Sequence, residues 1–237
     1  QTTIGADGKF VAVFDGDNFP ADGTYESVVT VSTSTGQVTL DGPGYVIDTT
    51  PPMVEILTGT DSVQDFFNAV SFEDGVTLTG VGEAGASIMV TIAGIEQITT
   101  VANDGTWSAT WAAGTLDAGE YSTGVTIVSS DAFGNTTTVT DVVVIDTVSE
   151  VTIATDVVET DGIVNNVEHQ DGVTLTGTAQ AGSSVVVTFG TGTHNATMDA
   201  NGNWTVDFAM SEVPTGELQS EVTAVATDAS GNTSSAT

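Results

Sequence analysis

Apolar and polar residues alternate along this chain with a period of two. Val76-Thr77-Leu78-Thr79-Gly80, Ser87-Ile88-Met89-Val90-Thr91-Ile92 and Gly124-Val125-Thr126-Ile127-Val128-Ser129 are short, alternating and rich in β-branched residues. Branching at Cβ suits a pleated, half-buried surface, so such runs predict strands. Turn signals divide them: Ala84-Gly85, Asn103-Asp104-Gly105, Asp117-Ala118-Gly119 and Phe133-Gly134-Asn135. No stretch carries an amphipathic helix of useful length. Seven strands are predicted in the middle of the chain. They are Val54–Leu57 (A), Val76–Gly80 (B), Ser87–Ile92 (C), Gln97–Ala102, Trp107–Thr110, Val125–Ser129 (F) and Thr136–Ile145 (G). A tight hairpin turn at 103–105 joins the fourth to the fifth, and a long A–B loop spans 58–74.

The same landmarks return 97 residues later. Asp74-Gly75-Val76-Thr77-Leu78-Thr79-Gly80 returns as Asp171-Gly172-Val173-Thr174-Leu175-Thr176-Gly177, Trp107 as Trp204, and Asp131-Ala132-Phe133-Gly134-Asn135 as Asp228-Ala229-Ser230-Gly231-Asn232. A fixed long period means an array of similar modules. Seven short strands per period predict an all-β fold: tandem immunoglobulin-like β-sandwiches of about seven strands each, arranged as an extended rod. The expected division is 1–48 as the C-terminal half of a first module, 49–146 as a complete module, and 147–237 as a third with its last strand incomplete. The chain therefore reads as a piece of a longer array. The joints Ile47-Asp48-Thr49-Thr50-Pro51-Pro52 and Ile145-Asp146-Thr147-Val148-Ser149-Glu150 leave little slack, and the double proline stiffens the first. Trp107 and Trp204 are expected in the cores, with Phe10 replacing them in the first module and Phe208 standing where Trp111 would recur.

Charge narrows the partners. The chain has 32 Asp and Glu residues against a single basic residue, Lys9, for a formal net charge of −31. Nothing here can neutralise phosphates, so nucleic acid and anionic membrane surfaces are excluded. No apolar run is long enough to span a bilayer, no signal peptide opens the chain, and the absence of cysteine excludes a disulfide framework. A chain this acidic repels itself and needs cations, high salt or both.

The carboxylates fall mostly in loops and joints. If strand directions alternate, the B–C loop (Glu83), the 103–105 turn (Asp104), the F–G loop (Asp131, Asn135) and the incoming joint (Asp48) share one end of the middle module. Asp146, Asp199, Asn201, Asp228 and Asn232 repeat this constellation at the second joint. Oxygen ligands in such number suit calcium, which takes about six to eight of them. Asp-Gly and Asn-Gly are also ordinary turns, so Asp104 and Asp199 are equally explained as shaping the backbone. A–B loops offer a second group: Asp61, Asp65, Glu73 and Asp74, then Asp156, Glu159, Asp161, Asn165, Glu168 and Asp171. A solvated acidic loop accounts for these as well. With no cysteine and only His169 and His194, zinc, copper and iron are poor candidates.

Asp48-Thr49-Thr50-Pro51-Pro52, Gly75-Val76-Thr77-Leu78-Thr79-Gly80, Glu83-Ala84-Gly85-Ala86, Asn201-Gly202-Asn203-Trp204 and Asp228-Ala229-Ser230-Gly231-Asn232 together resemble the bacterial immunoglobulin-like repeats of giant secreted adhesins and biofilm-associated proteins. The resemblance covers essentially the whole chain. It implies an extracellular, cell-surface extender, exported by type I secretion, that binds calcium near its module junctions and holds a distal ligand-binding region away from the cell. The glycine-rich calcium-binding nonapeptides of such proteins are absent, as is their C-terminal export signal. Thr33 and Gln37 stand where later modules have the Asp and Asn of the F–G loop, and Gln180 replaces Glu83, so the joints are expected to bind cations unequally. The alternative is a self-assembling surface-layer or filament subunit. Catalysis is not expected: the carboxylates sit in repeated loops, and no Gly-x-Ser-x-Gly elbow is present.

Overall fold

The computed structural model describes residues 1–14, 16, 19–154 and 163–237. Strands form where the alternation is cleanest. The first unit is one antiparallel ribbon of β1 (Gly23–Thr33) and β2 (Gly36–Ile47). The second contains β3 (Val54–Thr58), β4 (Val76–Gly82), β5 (Ser87–Ile92), β6 (Ile95–Thr100), β7 (Thr106–Trp111), β8 (Glu120–Ser130) and β9 (Thr136–Asp146). Its two antiparallel sheets have the orders β3-β4-β7 and β6-β5-β8-β9. The third contains β10 (Val151–Ile153), β11 (Val173–Ala179), β12 (Ser184–Phe189), β13 (Gly192–Asn195), β14 (Thr197–Met198), β15 (Asn203–Phe208), β16 (Val222–Thr227) and β17 (Thr233–Ala236). Its sheets run β10-β11-β15-β14 and β13-β12-β16-β17. The fold is all-β, as tandem immunoglobulin-like sandwiches.

Each complete sandwich closes on its own core. In β4 and β7 every second side chain is buried, and these meet Ile88, Val90, Ile127 and Ile145 from the facing sheet. Leu175, Val187, Trp204, Phe208 and Ala226 do the same in the third unit. Burial of such side chains stabilises each unit by about 1.5–3 kcal/mol per residue. The two tryptophans pair with equivalent glycines but spend their indole N–H on different strands. Trp107 pairs in register with Gly80 and donates its indole N–H to Val81 O at 3.2 Å, while Trp204 pairs with Gly177 and donates to Thr152 O at 3.1 Å. A Cβ on Gly80 would lie 2.4 Å from the Trp107 ring and 2.0 Å from Glu55 O, and one on Gly177 would lie 2.4 Å from Trp204 and 2.0 Å from Thr152 O. The repeated Thr-Leu-Thr-Gly run thus ends on glycine because an indole lies against it.

Three expectations need correction. The strand expected at 97–102 is β6, which hairpins with β5 through Ala93-Gly94, both at positive φ, and lies in the sheet opposite β7. The chain therefore changes sheets at 101–105, anchored by Val101, which is buried. Strand F begins at Glu120, not Val125, because its edge-to-edge pairing with β9 continues to Glu120↔Asp146 beyond the part with a buried face. Phe10, expected at a core position like the tryptophans, is 43 % exposed.

The long A–B loops carry one-turn helices, α1 (Ala69–Phe72) and α2 (Asn166–Asp171). Asn68 and Asn165 are their N-caps, 97 residues apart, and each forms a capping box. Four to six residues are too few to show a helical period. No helix among the described residues is long and apolar enough to cross a membrane.

Candidate functional site at the joints

One five-residue loop, Asp-Ala-X-Gly-Asn, occurs three times: 131–135, 199–203 and 228–232. In each, the Asp N–H donates to the Asn carbonyl, at 3.1, 2.9 and 3.0 Å. One carboxylate oxygen accepts the N–H groups of the third and fifth residues, and the other accepts the Asn side-chain amide at 2.7, 2.8 and 2.9 Å. The glycines sit at φ of 95°, 84° and 85°, a region in which a Cβ is strained. The Asp therefore holds the loop shut from within. The Asn amide has a second hydrogen to spend outside the loop.

At both joints that hydrogen reaches the linker. Asn135 Nδ2 donates to Asp48 O at 3.2 Å and Oδ1 at 3.3 Å. Asn232 Nδ2 donates to Asp146 O at 2.8 Å and Oδ1 at 3.2 Å. Asn203 donates only to its own Asp199 among the described residues, so the third loop shapes a turn and holds no linker. Sequence reading separated these three loops, although their identical five-residue pattern was visible.

The second joint is more tightly closed. The Ser230 hydroxyl donates to Asp146 Oδ2. Asn68 Nδ2 donates to Ser230 O at 2.9 Å, and the Ala69 N–H donates to Asn232 Oδ1 at 2.7 Å. Asp228 and Asn232 are consequently 9 % and 4 % exposed. At the first joint Phe133 replaces Ser230 and is 62 % exposed. There Asp22, which sequence reading passed over, accepts the Thr49 N–H at 2.9 Å and the Thr49 and Thr50 hydroxyls. At the second joint the equivalent Gly119 backbone exchanges bonds with Thr147 instead.

The expected segments do converge. The Glu83 N–H donates to Met53 O at 3.1 Å, Gly85 N–H to Val101 O at 2.9 Å and Gly82 N–H to Gly105 O at 2.9 Å. The linker, B–C loop, 101–105 turn and F–G loop therefore share one end. Their carboxylates are not gathered into a cage: among the described residues no three Asp, Glu or His side chains are grouped so as to hold a metal ion. Asp104 accepts from the Thr106 N–H at 3.1 Å and hydroxyl at 2.7 Å, and Asn201 lies on its own loop. The donors are all oxygens, which suits a hard cation. Their number at any one point is short of calcium's usual shell, so glutamate movement and water would have to complete it.

The A–B carboxylates are used locally. Asp65 accepts the N–H groups of Gly59 and Phe66, Glu168 closes its capping box, Glu73 ends α1 and Asp171 is the last residue of α2. Asp61 opens a 3-10 turn and Asp74 follows Glu73. Asp141 on β9, not expected, accepts the Ser62 hydroxyl. Asp156, Glu159 and Asp161 lie outside the described residues.

Hydrogen bonding lowers several of these carboxyl pKa values. For Asp131, desolvation raises the pKa, but the Asn135 amide and loop N–H groups outweigh it and leave it below 3.8. Thr50 and Thr49 lower Asp22, Thr106 lowers Asp104, and Asn203 lowers Asp199.

Residues 148–237 match the family model of the bacterial Ig domain. No curated protein matches the chain. It is similar to a solved structure concerned with host cell surface retention of a 1.5-MDa bacterial ice-binding adhesin, at 27 % identity over 91 % of this chain and 72 % of that one, with a TM-score of 0.47. A Ca2+-stabilized adhesin that helps an Antarctic bacterium reach out and bind ice is 29 % identical over 90 % and 55 %, with a TM-score of 0.44. A tetra-tandem repeat in the extending region of a large adhesion protein is 20 % identical over 99 % and 60 %, at 0.36. This chain thus spans little more than half the length of the latter two. The match to the bacterial Ig domain model covers the paired four-stranded sheets β10 to β17.

Proposed function

We propose that this chain is a run of spacer modules from a large bacterial cell-surface adhesin. The division is 1–48, 49–146 and 147–237, and the role is extracellular and structural, without catalysis. Such a run projects a distal binding region away from the cell, and its immediate partners are neighbouring modules of the same chain. The observation that carries the reading is the repeated clasp: at each joint an Asn of the F–G loop bonds the linker Asp that precedes its own module. A contact made twice, with the same residue types, fixes the direction of one module relative to the next. Adhesive function for the distal region follows the resemblance of the repeats.

Calcium completes the proposal. Asp48 with Glu83, Asp104 and Asp131 at the first joint, and Asp146 with Asp199 and Asp228 at the second, would hold it. Bridging these carboxylates removes their mutual repulsion, which Lys9, the single basic residue against 32 acidic ones, does little to offset. Thermal unfolding and small-angle scattering with about 5 mM calcium or chelator, at fixed ionic strength, test this. Saturation at about 100 times Kd stabilises by about 2.7 kcal/mol per site, so the expected rise in Tm is about ten degrees or more. Magnesium or sodium giving the same rise would instead make the acidity general solvation and sink the calcium sites.

A self-assembling subunit remains the second reading, favoured by the ribbon β1–β2. Among the described residues it pairs with no other strand, and it exposes Val28, Val38 and Leu40. A mass that rises with concentration in sedimentation would support it.

A further inference from the structure

The carboxylates at the second joint are crossed by a contact that contains no carboxylate at all. Asn68 and Ala69, in the A–B connection of the second unit, reach the F–G loop of the third. Asn68 Nδ2 donates to Ser230 O, and the Ala69 N–H donates to Asn232 Oδ1. These partners are about 160 residues apart in sequence. The contact fixes the Asn232 amide. With Oδ1 engaged by Ala69, its Nδ2 must face Asp146 and Asp228, the orientation that the linker bond requires.

We propose that Asn68–Ala69 is a latch that docks the Asp-Ala-X-Gly-Asn loop of the following module and holds the joint straight without a cation. The latch deepens the spacer reading and rests on it. The partner it fits is the F–G loop of another bacterial Ig module, recognised by one carbonyl and one amide oxygen. The repeat carries the same half-site again. Asn165 and Asn166 stand 97 residues after Asn68 and Ala69, Asn165 has the same extended N-cap geometry (φ −81°, ψ 174° against φ −86°, ψ 177°), and both are exposed. The matching loop half recurs as Phe133 and Asn135. A latch therefore belongs to the module type, not to one accident of the second joint.

Two substitutions separate it from calcium. Asn68→Asp keeps the N-cap acceptor for Ser71 N–H while deleting the donor to Ser230. Ala69→Pro deletes the donor to Asn232 at the first helical position, where proline is well tolerated after an extended residue. The chain lacks cysteine, so Ser108→Cys and Thr205→Cys place spin labels at equivalent exposed strand positions across the second joint. Thr30→Cys with Ser108→Cys spans the first. Pulsed dipolar distances are measured on the whole chain in calcium and in chelator, with Tm as the check on folding.

The expected result in chelator is a narrow 108–205 distribution in the parent chain and a broad one in either latch variant. Losing one bond shifts the docked-to-open ratio by about 5- to 10-fold. The latch is overturned if both variants stay as narrow as the parent, or if the parent is already broad in chelator and narrows only in calcium. That last outcome would support the cation reading alone. An unchanged 30–108 distribution with and without calcium would sink the cation reading and leave the latch standing.

Discussion

The two joints of this chain use the same loop and reach different degrees of closure. Around Asp146 the clasp is sealed: Ser230 covers one carboxylate oxygen, Asn232 the other, and Asn68 and Ala69 close over the loop. Around Asp48 the same Asn reaches the linker at 3.2 and 3.3 Å, but Phe133 has no hydroxyl to give. Repetition in sequence reproduces the loop, because Asp and Gly close it from within. Its neighbours decide how many of its outward polar atoms are satisfied, and so how costly each is to lose. The contrast also suggests a division of labour: direct bonds carry the second joint, while Asp48 keeps lone pairs free for a cation or water.

Asn232→Ala should break the contrast most severely. It strips partners from Ala69 N–H, Asp146 and Asp228 in a site that is 4 % exposed. Each buried polar group left unpaired costs about 1–3 kcal/mol, so a total of about 2–4 kcal/mol is expected. Asn135→Ala, in the half-buried equivalent, should cost about 1 kcal/mol because water replaces its bonds. Urea unfolding of both variants decides the matter. Equal costs would mean that burial at the second joint has no energetic consequence.

Phe133→Ser should sharpen it. The substitution places at the first joint the hydroxyl that Ser230 aims at Asp146, so it should bond Asp48 and stabilise by about 0.5–1.5 kcal/mol. It should also shrink the response of that joint to calcium, because Asp48 gains a competing donor. Ser230→Ala should move the second joint the other way by a similar amount. A stability rise with an unaltered calcium titration would show that Asp48 is not a ligand.

The sandwiches were legible because alternation is a local property: Val76 to Gly80 and Ser87 to Ile92 announce which side chains face inward. Convergence of the linker, B–C and F–G segments followed from strand direction alone. What escaped was of two kinds. Asp22 and Asp141 receive their hydroxyl donors from residues 27 and 79 positions away, and nothing in their neighbourhoods signals this. The sheet change at 101–105 depends on Val101 being drawn inward, which alternation around an Asp-Gly turn does not distinguish from a hairpin. The roles of Asp131 and Asp228 were also hard to read, since a carboxylate that braces a loop and one that ligates a cation have the same sequence.

Acid titration offers the gentlest probe of that ambiguity. Asp131 has a folded-state pKa below its ordinary 3.8, with burial opposing and Asn135 and the loop N–H groups prevailing. Its ionised form is therefore favoured by folding. The stability it contributes is fully present above pH 3.8 and is lost as pH falls through the lower, folded-state value. Relief of self-repulsion works in the opposite sense, raising stability as pH falls from 7 toward the isoelectric point near 4.1. Subtracting Asp131→Asn from the parent chain largely cancels the second effect, because one charge in −31 changes little. The stability difference in chelator should be flat from pH 7 to about 5 and close only below 3.8. With calcium present, a ligating Asp131 would give a larger plateau that titrates away at higher pH, as protons compete with the ion. Identical curves in calcium and chelator would assign Asp131 to the loop alone, and the first joint would then differ from the second only in how loosely it is closed.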